Sequence, residues 1–112
     1  MAEDILELIK SRRNIKKFLP KYVSWEKIAR MIDAARHAPS CGNVQNWKFL
    51  VVFDPDQKDQ VAAAAYDQYE IVNAPVLILI CGEPDKAERY YGLRGERLYT
   101  IQNCAAAIQN ML

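Results

Sequence analysis

Two uninterrupted apolar runs limit what this 112-residue chain can fold into. Lys48–Phe53 carries Phe49, Leu50, Val51, Val52 and Phe53 in a row, and Val76–Cys81 is a second run of similar length. Both are strand-sized, and apolar sequence without alternation reads as a strand covered on both faces. Two strands do not make an independently stable sheet. Helices must therefore cover these two, and further strands must come from a partner chain or from additional sequence.

Helical spacing fills most of the remainder. Ile5, Leu8 and Ile9 share one face over residues 3–10, with Glu3 and Asp4 in the first turn, where acids suit the helix dipole. Ser24 is a good N-cap for a second helix, in which Ile28, Met31, Ile32 and Ala35 make one apolar face and which Pro39 ends. Asp54-Pro55 opens an alanine-rich helix expected to run to Gln68 or Tyr69. Residues 83–97 are charged, contain Gly92 and Gly95, and read as a mobile connection. In the last helix Leu98, Ile101, Ala105, Ile108 and Leu112 follow a 3-4-3-4 spacing, the seam of a packed helix. The small residues from Cys104 to Ala107 would let another helix approach. That pattern stops at Leu112 without a capping residue, so a natural protein that continues is expected. The order helix, helix, strand, helix, strand, helix implies one α+β (mixed α/β) domain over residues 1–112.

Composition removes several functions. The formal net charge is +1, which implies neither a nucleic-acid nor an acidic partner. Cys41, Cys81 and Cys104 are odd in number, far apart and in no CxxC pair, so a reducing cytoplasm fits better than a disulfide framework or metal cluster. One histidine, His37, leaves little for a zinc site or a catalytic triad. The N-terminus has no apolar signal core, and no apolar run is long enough to cross a bilayer.

Two stretches carry possible chemistry. From Lys10 to Lys21 there are six cations (Lys10, Arg12, Arg13, Lys16, Lys17 and Lys21) and no acid. Arginine forks match phosphate oxygens, although a solvated basic face or a weak nucleic-acid patch would look the same. The stretch Ala38-Pro39-Ser40-Cys41-Gly42-Asn43-Val44-Gln45-Asn46-Trp47 offers backbone N–H groups, a hydroxyl and carboxamides, equipment for reading the polar edge of a planar ring. Gly42 would permit close backbone approach. An ordinary helix-to-strand connection is the competing reading. Among single residues, Cys41 reads as a packing residue before a nucleophile, since no His, Lys or Arg adjoins it. His37 reads as a surface or capping residue, and Trp47 and Phe49 as core. Tyr90, Tyr91 and Tyr99 stand in or near the charged connection, where one of them could line a pocket.

Taken together, Arg12-Arg13-Asn14-Ile15-Lys16-Lys17-Phe18, the helix after it, Ala38 to Phe49 running into the first strand, and Asn73-Ala74-Pro75 before the second resemble the nitroreductase family. The resemblance implies an α+β fold with helices around a mixed sheet, a homodimer, and FMN between the subunits. It implies that Arg12, Arg13 and Asn14 hold the phosphate, ribityl and ring polar groups, with Lys16 nearby. Pro39, Ser40, Cys41, Gly42 and Asn43 would form the loop that the partner subunit lays against the flavin, with Gln45 in the same motif and Gln68 as a further contact. The family commonly has serine at the position of Asn14 and proline at that of Asn46. The implied activity takes NADH or NADPH as reductant and a nitroaromatic, quinone or similar electron-poor acceptor in one pocket, with ping-pong kinetics, no catalytic side chain and no metal. Three alternatives stand beside it. They are an inactive flavin-binding fragment, another reaction on the same scaffold such as reductive dehalogenation or flavin breakdown, and a basic module using Lys10 to Lys21 for nucleic acid or an acidic partner.

Overall fold

The computed structural model describes residues 4–112, so Glu3 of the expected first turn lies outside the described residues. Helix α1 spans Ile5–Ser11, capped by Asp4, whose Oδ1 accepts from the Leu6 N–H at 3.0 Å. It buries none of its residues, and Ile5 and Ile9 are 72% and 63% exposed. An arm without helix or strand follows, and then α2, Trp25–Arg36. Ser24 caps α2 by accepting from the Lys27 N–H, and Ile28 and Ala35 of its apolar face are fully buried.

Strand β1 (Trp47–Val52) and strand β2 (Leu77–Gly82) pair antiparallel, from Trp47 opposite Gly82 to Val52 opposite Leu77. Within these residues the sheet is purely antiparallel, so the mixed pairing implied by the resemblance is not made between these two strands. Helix α3 (Pro55–Ala64) joins them. The single buried cation of its span, Lys58, donates to Ala74 O at 2.8 Å and Pro75 O at 3.1 Å, which ties α3 to the approach to β2. After β2 come α4 (Pro84–Arg94), a π-turn (Gly95–Tyr99) and α5 (Thr100–Met111).

The core is small. Ala35, Ala38, Trp47 and Ala107 are buried together, with Phe49, Ile80 and Cys104 among the side chains packed on them. Small residues let α5 lie close to α2 and to the sheet. A Cβ on Gly82 would stand 2.6 Å from Thr100 Cγ2, so only glycine leaves room there. Asn110 also donates to Ala34 O at 2.9 Å across the two helices. The radius of gyration is 15.7 Å, with extents of 43 × 40 × 23 Å. A compact domain of about 100 residues has roughly 13 Å, so this chain is open, with its apolar N-terminal helix unpacked.

Four expectations are corrected. The strands are not covered on both faces, since Leu50 is half exposed. Helix α3 stops at Ala64 because Tyr66 and Asp67 take left-handed backbone angles, φ 60° and 58°. Residues 83–97 form α4 and the π-turn, with Pro84 at the first helical position, where its missing N–H costs nothing. The apolar seam of the last helix faces outward: Ile101 is 67% exposed, while Thr100, Asn103 and Ala107 are the buried face of α5. No helix among the described residues is long and apolar enough to cross a membrane.

Candidate functional site

The loop between α2 and β1 is a tight turn with three left-handed residues, Gly42 (φ 52°), Asn43 (φ 58°) and Gln45 (φ 51°). Asparagine and glutamine held there cost about 1–3 kcal/mol each, and such strain collects where side chains must be aimed. Local bonds hold it. Asn43 N–H donates to Ser40 O (3.1 Å), Val44 N–H to Cys41 O (3.0 Å) and Gln45 N–H to Ser40 Oγ (3.0 Å). Cys41 N–H donates to Asn103 Oδ1 at 3.1 Å. The backbone donors of Cys41, Asn43, Val44 and Gln45 are thus committed inside the protein, contrary to the expectation that they would face a ligand. What the turn offers outward is the bare backbone of Gly42 and the exposed side chains of Asn43 and Gln45, which make no hydrogen bond among the described residues.

Beneath the turn is a buried amide network. Asn46 is fully buried; its Nδ2 donates to Glu83 O and Thr100 Oγ1, both at 3.0 Å, and its Oδ1 accepts from Asn103 Nδ2 at 2.8 Å. Asn103 Nδ2 also reaches Cys41 Sγ at 3.4 Å, and Thr100 Oγ1 donates to Gly95 O at 2.9 Å. No buried side-chain polar atom among the described residues lacks a partner. The network ties the segment leading into β1 to Glu83 at the start of α4, to the π-turn and to α5 at once. It also engages both the N–H and the sulfur of half-buried Cys41.

Two clefts flank the turn. One, of about 590 Å³, is lined by Arg36, His37, Ala38, Asn43, Gln45, Trp47 and Phe49. Arg36 Nε pairs with Asp33 at 2.8 Å, and this hydrogen bond holds the exposed Asp33 carboxyl below the usual carboxylate range. His37, at the end of α2 as expected, places Nδ1 2.7 Å from Asp33 O. The other cleft, of about 400 Å³, lies between Gly42–Val44 and the α4 residues Lys86, Arg89, Tyr90 and Tyr91. Among the cysteines, burial first and then neighbouring Cys81 push the Cys104 thiol up.

The basic arm is separate in its bonding. Arg12, Arg13, Asn14 and Lys16 are all exposed. Arg13 Nη1 donates to Lys10 O (2.7 Å) and Arg12 O (2.9 Å), satisfying carbonyls at the end of α1. No hydrogen bond among the described residues joins this arm to the Ser40–Gln45 turn. Pro39 is exposed and Ser40 half-buried beside it. Gln68 is exposed after α3, its N–H donating to Ala62 O, again without a bond to the turn. The structure therefore assembles Ser40 to Gln45 as one unit and leaves the arm and Gln68 apart from it. Sequence reasoning missed Asn103 and Thr100, and treated Asn46 only as a departure from a proline. The available signal was polar residues at i and i+3 on the small-residue face of the last helix.

The family model described as "Nitroreductase family" matches residues 9–72. An Archaeoglobus fulgidus protein, provisionally named as an NADH dehydrogenase or NAD(P)H nitroreductase, is 32% identical over 110 residues, 98% of this chain and 60% of the relative. A solved structure from Bacteroides thetaiotaomicron with the same provisional name is 31% identical with a TM-score of 0.81, over 99% of this chain and 60% of that one. The Vibrio harveyi NADPH:FMN oxidoreductase, solved in complex with NAD+, is similar in fold alone, at 20% identity and TM-score 0.81 over 96% of this chain and 49% of that one. The chain thus spans about 60% of the length of the A. fulgidus and B. thetaiotaomicron relatives.

Proposed function

Because the chain belongs to the nitroreductase family, we propose that it forms part of an FMN-dependent oxidoreductase. NADH or NADPH would be the reductant and a nitroaromatic, quinone or similar electron-poor compound the acceptor, the two taking turns in one pocket. FMN, when bound, supplies the hydride chemistry, and the protein supplies orientation and charge.

The observation that carries this reading is the strained turn. Gly42, Asn43 and Gln45 are held left-handed over a fully satisfied amide network, an arrangement that fixes the backbone from which two exposed carboxamides project. Carboxamides can read both donors and acceptors on a flavin edge. The arm supplies the other requirement, exposed cations for a phosphate: Arg12, Arg13 and Lys16, with Asn14 beside them. Pro39, Ser40, Cys41 and Gly42 would back the ring, and Gln68 would add a contact. Arm and turn share no hydrogen bond, which fits a site completed by two copies, one giving the arm and the other the turn. An exposed apolar stripe running from the π-turn along α5 to the residue after it (Leu98, Ile101, Ile108 and Leu112) and the unpacked α1 fit a homodimer. Three unpaired cysteines fit a reducing cytoplasm.

The test is an absorbance spectrum and an FMN titration of the purified protein. The protein should take up FMN and bleach with NADH or NADPH. Arg12→Ala with Arg13→Ala should weaken FMN at least about tenfold, since charge-assisted bonds contribute about 1.5–3 kcal/mol each and these are exposed. A protein that takes up no FMN, or a double variant that binds it unchanged, would sink the reading. The dimer is tested apart from this. Ile101→Glu should convert a sedimenting dimer largely to monomer, because it places a charge within the exposed stripe; an unchanged dimer would show that the stripe is not the interface.

A further inference from the structure

The cleft between the turn and α4 has a chemistry of its own. Lys86 and Arg89 stand at i and i+3, and Lys86 and Tyr90 at i and i+4, so all three share a face. No acid lines the cleft; Asp85 and Glu88 of the same helix are not part of its wall. Lys86 keeps a 3.3 Å ion pair with Glu83, while Arg89 has no ion-pair partner among the described residues. The aromatic wall is fixed: Tyr91 packs edge-on against Tyr99, ring centroids 5.4 Å apart, and its hydroxyl sits over the space a Gly42 side chain would fill. A volume of about 400 Å³ falls in the range of small-molecule sites.

We propose that this cleft selects the acceptor and takes a single-ring aromatic bearing a carboxylate. The ring would lie against Tyr90 and Tyr91, and the carboxylate against Arg89 and Lys86. Arginine matches a carboxylate in bidentate geometry, and lysine adds a point charge. This inference rests on the oxidoreductase reading for the word acceptor, while the binding it asserts can be measured without any flavin.

Calorimetric titration with 4-nitrobenzoate and with neutral 4-nitrobenzamide tests it. The carboxylate should bind at least about tenfold more tightly, and the difference should shrink as salt is raised, because both cations are near the surface. In the Lys86→Gln, Arg89→Gln double variant the two ligands should bind within about twofold of each other, while FMN uptake stays as in the parent. Equal affinities in the parent, a preference indifferent to salt, or a preference that survives in the folded variant would each overturn the assignment. The salt series on the parent decides the matter even if the variant fails to fold. Carboxylate preference without FMN uptake would remove the oxidoreductase reading and leave the cleft; FMN uptake without the preference would do the reverse.

Discussion

Replacing Asn103 with leucine is expected to destabilise the protein by about 2–4 kcal/mol in urea unfolding. The side chains are similar in size, so the loss comes from hydrogen bonds. Asn103 accepts from the Cys41 N–H and donates to Asn46 Oδ1 and Cys41 Sγ. Leucine does none of this. It leaves the Asn46 carbonyl, fully buried, and the Cys41 N–H, half-buried, without partners. Each buried orphan costs about 1–3 kcal/mol, more than the net gain of a typical hydrogen bond, and leucine recovers part of this by burying apolar surface. The orphans outweigh that gain because water has little access to restore them. The same variant should also bind FMN more weakly, since the hydrogen bonds that tie α5 to the Ser40–Gln45 turn among the described residues are gone. Stability unchanged to within about 0.5 kcal/mol would mean that the amide network does not hold the turn.

The network shows where sequence reading succeeds and where it stops. Trp47 and Phe49 were legible as core because consecutive apolar residues have one economical place to go. Ser24 and the face of Ile28, Met31, Ile32 and Ala35 were legible because capping and 3.6-residue periodicity act within a few residues. The partners of Asn46 are Glu83, Thr100 and Asn103, the last 57 residues away, and no local rule connects them. The outward seam of α5 fails for a related reason. Periodicity identifies an apolar stripe but not which neighbour covers it. In this chain α2 and the sheet meet the small and polar face, Thr100, Asn103 and Ala107, because close approach needs small side chains.

The candidate site was legible by composition and not by assembly. The turn from Pro39 to Gln45 was identified from its small and amide residues, and the structure gathers it into one strained unit. Four of its backbone N–H groups, those of Cys41, Asn43, Val44 and Gln45, are spent internally, and for Cys41 and Gln45 sequence cannot show this because it depends on Asn103 Oδ1 and Ser40 Oγ being in place. The α4 cleft was hidden because residues 83–97 are charged and contain two glycines. Charge on a short amphipathic helix and charge on a loop look alike until the cap is recognised, and here the signal was Pro84 following Glu83.

Those two glycines lead to the other large expected effect. Gly95→Ala should destabilise by about 2 kcal/mol, although alanine is worth nearly 1 kcal/mol over glycine in a helix interior. Gly95 has ordinary helical angles, φ −63° and ψ −47°, so nothing in its backbone conformation asks for glycine. Gly92 is the converse, with nothing within 4 Å of where a Cβ would stand but with a positive φ of 60°. What Gly95 lacks is space. An added Cβ would collide with the Ala87 carbonyl oxygen and stand 2.8 Å from both Ala87 C and Tyr91 Cβ. Ala87 is fully buried and its carbonyl is backbone, so a rotamer change cannot relieve the clash. Either α4 or the π-turn must move. Overpacking of this kind costs about 1–3 kcal/mol, and a shifted π-turn also strains the bond from Thr100 Oγ1 to Gly95 O that closes the amide network. The two costs together exceed the propensity gain. Movement of α4 would carry Lys86, Arg89 and Tyr91 with it, so charge preference in the cleft should weaken in the same variant. A stability gain from Gly95→Ala would show that propensity governs this junction and that α4 is not seated on the π-turn.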